Sequence, residues 1–244
     1  MGVRNRWSIA WGIAQMAAEA GAGLVFTAQG ERELEQAGEL AESLGGYPVF
    51  PCDVGSDGGI QNCFAGLERR YGVIHGLVHA IAHARSEDLQ GDFSATTREG
   101  FAHALNVSAY SLIAVSRVAR RLMTGGGSIL TLSYIGAERV IAGYKVMGVA
   151  KAALEASVKY LAEELGPAAI RVNAISAGPV KTLSAKGIPN FGTLLESAAE
   201  RNPLRRGVDQ RDIGGTALYL LSDWSSGVTG EVIHVDAGYH ILGG

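Results

Sequence analysis

Short apolar segments alternate with longer helical patterns along most of this chain. The runs at 23–28, 73–81 and 170–175 are rich in Val, Ile and Leu, and 31–44 and 209–222 have helical spacing. Strands that are buried on both faces have this continuous apolar composition, whereas half-solvated strands alternate apolar and polar residues. The pattern predicts an α/β fold with a doubly wound, Rossmann-type parallel sheet that is covered by helices on both sides.

The length and composition of the chain are those of a single globular domain. It has 244 residues, of which 47% are hydrophobic and 18% charged, and its formal net charge is −3. We expect one dinucleotide-binding domain over 1–244, because α/β domains often have about 200–250 residues. The sequence has no basic stripe of the kind that binds nucleic acid, and it has no apolar run long enough to span a membrane. Cys52 and Cys63 lack metal-ligand spacing, as is typical of free thiols in a reducing compartment, so we expect a cytoplasmic protein.

The N-terminal residues depart from the expected fold in one respect. Residues 2–8 have the composition of a phosphate-binding turn, and 9–21 that of the helix that follows such a turn. A dinucleotide-binding sheet has a central strand before this turn, and the sequence leaves no room for one. The first strand is therefore predicted to be missing from this chain. Either the natural chain starts upstream of Met1, or a real truncation impairs the cofactor site.

Two residues within 133–153 carry the candidate chemistry. Tyr144 and Lys151 lie seven positions apart, about two helical turns, so a helix over 144–165 would present both on one face. A phenol can donate a hydrogen bond to a carbonyl oxygen that gains negative charge, and a fixed ammonium supports that polarity and can bind ribose hydroxyls. The spacing alone is equally compatible with an ordinary aromatic residue and a solvated lysine, so the surrounding segments matter.

Several segments of the chain match one known family. They are GVRNRWSIAWGIA, FTAQGER, PCDV, GLVHAIAHA, GEVIHVDAGY and, most specifically, LTLSYIGAERVIAGYKVMGVAKAALEASVKYLA. Over essentially all 244 residues, the chain resembles the enoyl-acyl-carrier-protein reductases of bacterial fatty-acid synthesis. These enzymes are a divergent branch of the short-chain dehydrogenases/reductases.

The spacing of the tyrosine and the lysine distinguishes branches of this superfamily. Most short-chain dehydrogenases have Tyr-x3-Lys, which would need a tyrosine at the position of Met147. This chain has Tyr-x6-Lys, with Tyr134 ten residues before Tyr144, which is similar to the enoyl reductases and unlike a ketoreductase. The resemblance implies that NADH delivers hydride to the β carbon of a trans-2-enoyl thioester. Tyr144 would then stabilise the enolate oxygen, Lys151 would bind the nicotinamide ribose, and Tyr134 would line or orient the site.

The resemblance also implies a cofactor site made from several parts of the chain. Gln29 and Glu31 would lie near the adenosine ribose, where an arginine pair would favour NADPH. Because Glu31 would repel a 2′-phosphate, we expect NADH. The implied cofactor-binding residues are Gly2, Ser8 and Ile9 at the pyrophosphate, Gln29, Asp53 and Val54 at the adenosine, and Ala80, Ile81, Ala82, Lys151, Val180 and Thr182 towards the nicotinamide.

On the substrate side, the resemblance implies an acyl carrier protein with an enoyl chain as partner, a substrate-binding segment at about 183–200, and a homotetramer. The implied substrate-binding residues are Ala84, Tyr134, Tyr144, Met147, Ser184, Ile188 and Phe191.

Three residues depart from the family pattern. His83 replaces a bulky aromatic residue, Ala142 replaces a proline, and Lys145 follows Tyr144, where its cation would lower the pKa of the phenol or point to solvent.

Two other functions stay open at this point. One is a different oxidoreductase of the same fold, a 3-oxoacyl reductase or an alcohol dehydrogenase, although the Tyr-x6-Lys spacing speaks against it. The other is a nucleotide-binding or assembly protein without turnover, for which the missing strand is the only support. We expect no metal site: His75, His79 and His83 recur every four residues, but in a strand that enters a loop they would not converge.

Overall fold

Parallel strands, connected by helices, form the framework of the protein. The computed structural model describes residues 1–180 and 200–242. Its strands are β1 (Phe26–Ala28), β2 (Val49–Pro51), β3 (Gly76–His79), β4 (Gly127–Ser133), β5 (Ile170–Ala177) and β6 (Val232–Val235). β1 pairs with β2, and the other four strands form a second sheet in the order β3-β4-β5-β6, with every pair parallel. The predicted α/β fold with a parallel sheet is confirmed.

The first helix precedes β1, and the other helices lie between the strands in sequence, as expected for crossover connections. The helices are α1 (Ile9–Glu19), α2 (Glu31–Ser43), α3 (Asp57–Tyr71), α4 (Arg98–Leu105), α5 (Ser111–Ala119), α6 (Lys145–Leu165) and α7 (Gln210–Leu221). In the part of the chain that the structure describes, no helix is both long and apolar enough to cross a membrane.

Neighbouring residues of the central strands pack into opposite layers. On β4, Ile129 belongs to a buried cluster with Leu112 of α5 and Leu154 of α6. The next residue, Leu130, belongs to a separate cluster with Ile13 of α1 and Ile213 of α7. Because successive side chains of a strand point to opposite faces, helices cover the four-stranded sheet on both sides. This double coverage explains the continuous apolar runs in the sequence.

The main chain of Met1 is hydrogen-bonded to β3. Its amino group donates to the carbonyl of Val78 at 2.9 Å, and its carbonyl accepts from the N–H of Ala80 at 3.3 Å. Residues 2–8 then form a turn that leads directly into α1, as the sequence predicts, and this part of the chain contains no strand before α1.

The helical pattern over 97–123 does not form one continuous helix. α4 stops at Leu105, a π-helical turn follows at Asn106–Tyr110, and α5 ends at Ala119. A π turn adds one residue to the helical repeat and is often found at functional sites. Here it directs the hydroxyls of Ser108 and Ser111 towards the end of β3, where they bind His83 and His79 respectively. Hydrophobic periodicity does not reveal such a turn.

His79 is the buried polar connection among β3, β4 and α5. Its Nδ1 lies 2.9 Å from the Thr131 hydroxyl, and its Nε2 lies 2.8 Å from the Ser111 hydroxyl. The Thr131 hydroxyl also donates to the carbonyl of His79, and the Ser111 hydroxyl donates to the carbonyl of Val107 at 2.6 Å. A neutral imidazole has one N–H and donates to one of these two hydroxyl oxygens. Burial lowers the pKa of His79 to about 3, which favours this neutral form.

This arrangement predicts an acid-dependent loss of stability. The pKa of His79 is lower in the folded protein than the value of about 6.5 in an unfolded chain. Its contribution is therefore complete above about pH 6.5 and is lost as the pH falls towards about 3. His79→Gln should lower the free energy of unfolding at neutral pH by about 1–3 kcal/mol and weaken its dependence on acid pH, as measured by urea unfolding.

His75→Gln provides the matched control for this experiment, since His75 is exposed. That variant should retain the stability and the pH dependence of the unchanged protein. An unchanged acid dependence in His79→Gln would show that the buried ring is not the group that titrates.

Candidate active site

Tyr144 lies at the start of α6, against a tight turn. It is the N-cap residue, so the helix begins at Lys145, one residue later than predicted. Its ring contacts that of Tyr134 edge to face, with 4.9 Å between centroids and 69° between the planes. Gly136 makes room for this pair, because a Cβ there would lie 2.4 Å from Cδ1 of Tyr144. The position of the phenol thus depends on a residue without a side chain in the 135–137 turn.

Both phenols remain protonated at neutral pH. Burial raises the pKa of Tyr144 well above its ordinary value and raises that of Tyr134 to about 12. A protonated phenol can donate a hydrogen bond to an oxygen that gains negative charge.

Lys151 places its ammonium at the carboxyl end of β4. The residue is only 6% exposed, and its Nζ donates to the carbonyl of Leu132 at 2.7 Å. Burial lowers the pKa of Lys151 to about 8, and the nearby carboxylate of Glu155 opposes this change. Tyr134 directly follows β4, which ends at Ser133. The three predicted catalytic residues therefore meet at the end of one central strand.

The predicted pyrophosphate turn packs closely against the end of β3. Gly2 has a φ of +91°, and a Cβ on it would lie 2.0 Å from the carbonyl oxygen of Ala80. Only glycine fits this position, because the missing Cβ lets the turn approach the end of β3. Ser8 is the N-cap of α1 and Ile9 its first residue, so both lie where main-chain N–H groups can bind an anion.

The predicted adenosine-binding residues meet at the carboxyl ends of β1 and β2. Nε2 of Gln29 donates to Oδ1 of Asp53 at 3.1 Å, and the same oxygen accepts from the N–H of Gly55 at 2.9 Å. Val54 is half-buried against the core. The other predicted cofactor residues with described positions follow strands as well: Ala80, Ile81 and Ala82 follow β3, and Val180 lies beyond the end of β5.

A cavity of about 440 Å³ lies between residues 4–7 of the turn and residues 32–40 of α2. Arg4, Arg6 and Arg32 line it together with Glu33 and Glu39, whereas Glu31 does not. The arginines are suited to an anionic group and the glutamates are not. The residues predicted from the sequence at this end of the site, which are 29–31, Asp53 and Val54, do not include these arginines, because three-dimensional packing brings the arginines together.

The predicted substrate side is described only in part. Met147 is 6% exposed, and its sulfur lies 3.8 Å from the hydroxyl of Ser108, which also accepts from the N–H of His83 at 2.9 Å. The His83 ring pairs with His103, with 2.7 Å between Nδ1 and Nε2, and Ala84 follows His83. Four predicted residues lie outside the described residues: Thr182, Ser184, Ile188 and Phe191.

Both expectations for Lys145 are wrong. Its Nζ donates to the main-chain carbonyl of Gly91, so the ammonium does not simply point to solvent. The pKa of the neighbouring phenol of Tyr144 is raised rather than lowered, because burial is the largest influence on it. Lys145 has a positive φ of 41°, and such backbone strain often occurs next to functional residues.

Taken together, the fold and this geometry define a class of protein. A phenol and an ammonium lie at the carboxyl end of a central parallel strand, where open α/β sheets bind their ligands. A glycine turn nearby leads into a helix N-terminus that suits a pyrophosphate. These are the features of a dinucleotide-dependent oxidoreductase.

Comparisons with known proteins identify the family within this class. A family model described as Enoyl-(Acyl carrier protein) reductase matches residues 2–240. The chain is 56% identical to the enoyl-[acyl-carrier-protein] reductase [NADH] FabI of Bacillus cereus over 245 residues, which cover 100% of this chain and 96% of the relative. It is 52% identical to the enoyl-[acyl-carrier-protein] reductase [NADPH] FabI of Staphylococcus aureus, over 99% of this chain and 95% of the relative.

A solved structure agrees with these sequence relatives. The crystal structure of the Bacillus cereus enoyl-acyl carrier protein reductase with NADP+ and indole naphthyridinone matches with a TM-score of 0.98 at 56% identity. The match covers 100% of this chain and 95% of the other. The chain belongs to the enoyl-acyl-carrier-protein reductase family, and the family predicted from the sequence is confirmed.

The close packing at Gly136 predicts the effect of a minimal substitution. Gly136→Ala should push the Tyr144 ring away from its position, since the added carbon would lie 2.4 Å from Cδ1. We expect kcat to fall by about tenfold or more, because small misplacements of a reacting group are costly. Steady-state kinetics of NADH oxidation would measure the loss.

Gly125→Ala is the control, since nothing lies within 4 Å of a Cβ at that position. It should leave kcat unchanged. Full activity in Gly136→Ala would mean that the turn does not position the phenol.

Proposed function

We propose that this protein reduces the trans-2 double bond of enoyl-acyl-carrier-protein thioesters with NADH during fatty-acid elongation. The observation that carries the proposal is the convergence of Tyr134, Tyr144 and Lys151 at the end of β4 with Tyr-x6-Lys spacing. Membership of the enoyl reductase family supports the same reaction. We assign the whole chain, 1–244, to one oxidoreductase domain and the segment 183–200 to substrate binding.

The proposed mechanism uses the protonated phenol as the group that stabilises charge. NADH, when bound, supplies the hydride that adds to the β carbon of the substrate. Negative charge then develops on the thioester oxygen, and Tyr144 donates a hydrogen bond to that oxygen. Tyr134 holds the Tyr144 ring by its edge-to-face contact. A proton taken from solvent adds to the α carbon, and the enolate collapses to the saturated thioester.

Lys151 has donors left for the cofactor. An ammonium has three N–H donors, and the carbonyl of Leu132 takes one of them. We assign the remaining donors to the hydroxyls of the nicotinamide ribose. The other proposed cofactor contacts are Gly2, Ser8 and Ile9 to the pyrophosphate, Gln29, Asp53 and Val54 to the adenosine, and Ala80, Ile81, Ala82, Val180 and Thr182 near the nicotinamide.

NADH is the proposed cofactor because Glu31 follows Gln29 at the adenosine end and because the Bacillus cereus relative carries NADH in its name. The arginines around the cavity near α2 oppose this preference for NADH, because their positive charges would tolerate the added 2′-phosphate of NADPH.

The reduction of a ketone is disfavoured by the position of Met147. A Tyr-x3-Lys enzyme would need its phenol there, but this chain has a buried thioether beside Ser108. For the substrate side we assign Ala84, Tyr134, Tyr144, Met147, Ser184, Ile188 and Phe191 to the acyl group.

We further propose a cytoplasmic homotetramer that takes its acyl chain from the acyl carrier protein. Large aromatic side chains on the helices α5 and α6 support an interface between copies. Tyr160 of α6 is 80% exposed, and Tyr110, directly before α5, is 40% exposed. Exposed aromatic residues on a helical face are typical of surfaces that a partner covers.

The role of the phenol predicts the effect of removing one oxygen atom. Tyr144→Phe should lower kcat for a crotonyl or longer enoyl thioester by about 100-fold to 1,000-fold, because it removes a donor to the developing oxyanion. NADH binding, followed by fluorescence titration, should be unchanged, since the phenol does not contact the cofactor in this proposal.

Tyr71→Phe, an exposed tyrosine at the end of α3, is the matched control and should be fully active. If Tyr144→Phe keeps its rate, the proposed role of the phenol is wrong. If the unchanged protein oxidises NADH with a 3-oxoacyl thioester but not with an enoyl thioester, the proposed reaction is wrong.

The proposed interface predicts a change in oligomeric state. Tyr160→Glu would place a charge within an apolar contact, so it should convert the tetramer into smaller species that multi-angle light scattering can detect. Tyr71→Glu, on α3, should remain tetrameric. Identical masses for the Tyr160→Glu variant and the unchanged protein would exclude Tyr160 from the interface.

A further inference from the structure

Glu155 is a half-buried carboxylate that the proposed mechanism does not use. It lies on α6 four residues, or about one turn, after Lys151, so the two side chains leave the same side of the helix. The hydroxyl of Ser133, the last residue of β4, donates to Oε1 of Glu155. Lys151 is bound by the preceding residue of that strand, through the carbonyl of Leu132 at 2.7 Å. Leu132 and Ser133, which are neighbours on β4, therefore bind two groups of α6. Leu132 accepts from the ammonium of Lys151, and Ser133 donates to the carboxylate of Glu155.

Glu155 is the carboxylate whose charge acts on Lys151. The charged or titratable groups that face Glu155 are Lys151 and Tyr144 from α6 and its N-cap, Glu138 from the loop after β4, and His234 from β6. His234 pairs with Glu138 at 2.8 Å, and its ring stacks on His240, which binds the carboxylate of Asp236. The acidic group of Glu138 is thus engaged elsewhere. From β3, Lys151 is faced by His79, which is neutral.

The energetics explain why a buried lysine needs such a neighbour. An ammonium that leaves water loses hydration, and its burial lowers the pKa of Lys151 to about 8. The carboxylate of Glu155 acts in the opposite direction. Without the Glu155 carboxylate, Lys151 would lose its proton at a lower pH. The neutral amine lacks the positive charge and one of the three N–H donors that are available to bind ribose hydroxyls.

We propose that Glu155 is a positioning residue that keeps Lys151 protonated at the end of β4 and thereby sets the upper pH limit of NADH binding. The inference rests on the proposed function only in the assignment of Lys151 to the cofactor ribose. Glu155 acts through Lys151 and contacts neither substrate nor cofactor in this account.

The test is the pH dependence of NADH affinity, measured by fluorescence titration of the full-length protein from about pH 6 to about pH 10. In the unchanged protein the affinity should fall as the pH rises through the pKa of Lys151. In Glu155→Gln, which keeps the shape of the side chain, the midpoint of this fall should be lower by about one pH unit or more. At acidic pH, where Lys151 is protonated in both proteins, the two affinities should match.

Two further variants separate this role from a structural one. Glu163→Gln changes an exposed residue of the same helix and should leave the midpoint unchanged. Ser133→Ala keeps the carboxylate but removes its donor, and should shift the midpoint in the same direction by less. A uniform loss of affinity at every pH, or an unchanged midpoint in Glu155→Gln, would overturn the proposal.

Measurement of binding also separates this inference from the proposed reaction. If NADH binds with the expected pH dependence and the shift in Glu155→Gln occurs, the role of Glu155 stands even where enoyl thioesters are not reduced. If enoyl thioesters are reduced and the midpoint does not move, the reaction stands and the role of Glu155 is wrong.

Discussion

The hydrogen bond from Lys151 to the carbonyl of Leu132 is the interaction on which the candidate site depends. A buried ammonium is costly unless it is paired and hydrogen-bonded, so Lys151 requires a fixed acceptor. That acceptor belongs to β4, which lies between β3 and β5 in the four-stranded sheet and is packed on both faces. The hydrogen bond therefore fixes the ammonium of Lys151, at the end of a long side chain, to a strand that is packed on both faces.

The other side chains of the site are aligned to the same strand end. Tyr134 continues the chain directly after Ser133, and its ring supports that of Tyr144. The turn between them accommodates the rings only because Gly136 lacks a Cβ. A hydrogen bond, an aromatic contact and a glycine thus hold a protonated phenol and a buried cation at the end of the same strand, and both groups are of the kind that stabilises an oxyanion.

Much of this could be predicted from the sequence because its causes are local or repetitive. Apolar runs revealed the doubly covered strands, and the spacing of Tyr144 and Lys151 indicated a shared location. The π turn at Asn106–Tyr110 could not be predicted, since it packs against distant residues, with hydroxyl contacts to His79 at the end of β3 and to His83 in the loop that follows. The contact of Glu155 with Ser133 and the gathering of arginines around α2 also depend on tertiary packing, as does the true start of α6 after Tyr144.

The most direct test of the account is the fate of the transferred hydrogen. NADH with deuterium at the transferable position of the nicotinamide would be incubated with the protein and a crotonyl thioester, and the product examined by mass spectrometry and NMR. The account predicts a saturated thioester with one deuterium on its β carbon. An unreduced double bond, together with deuterium on a hydroxyl-bearing carbon when a 3-oxoacyl thioester is supplied, would contradict it.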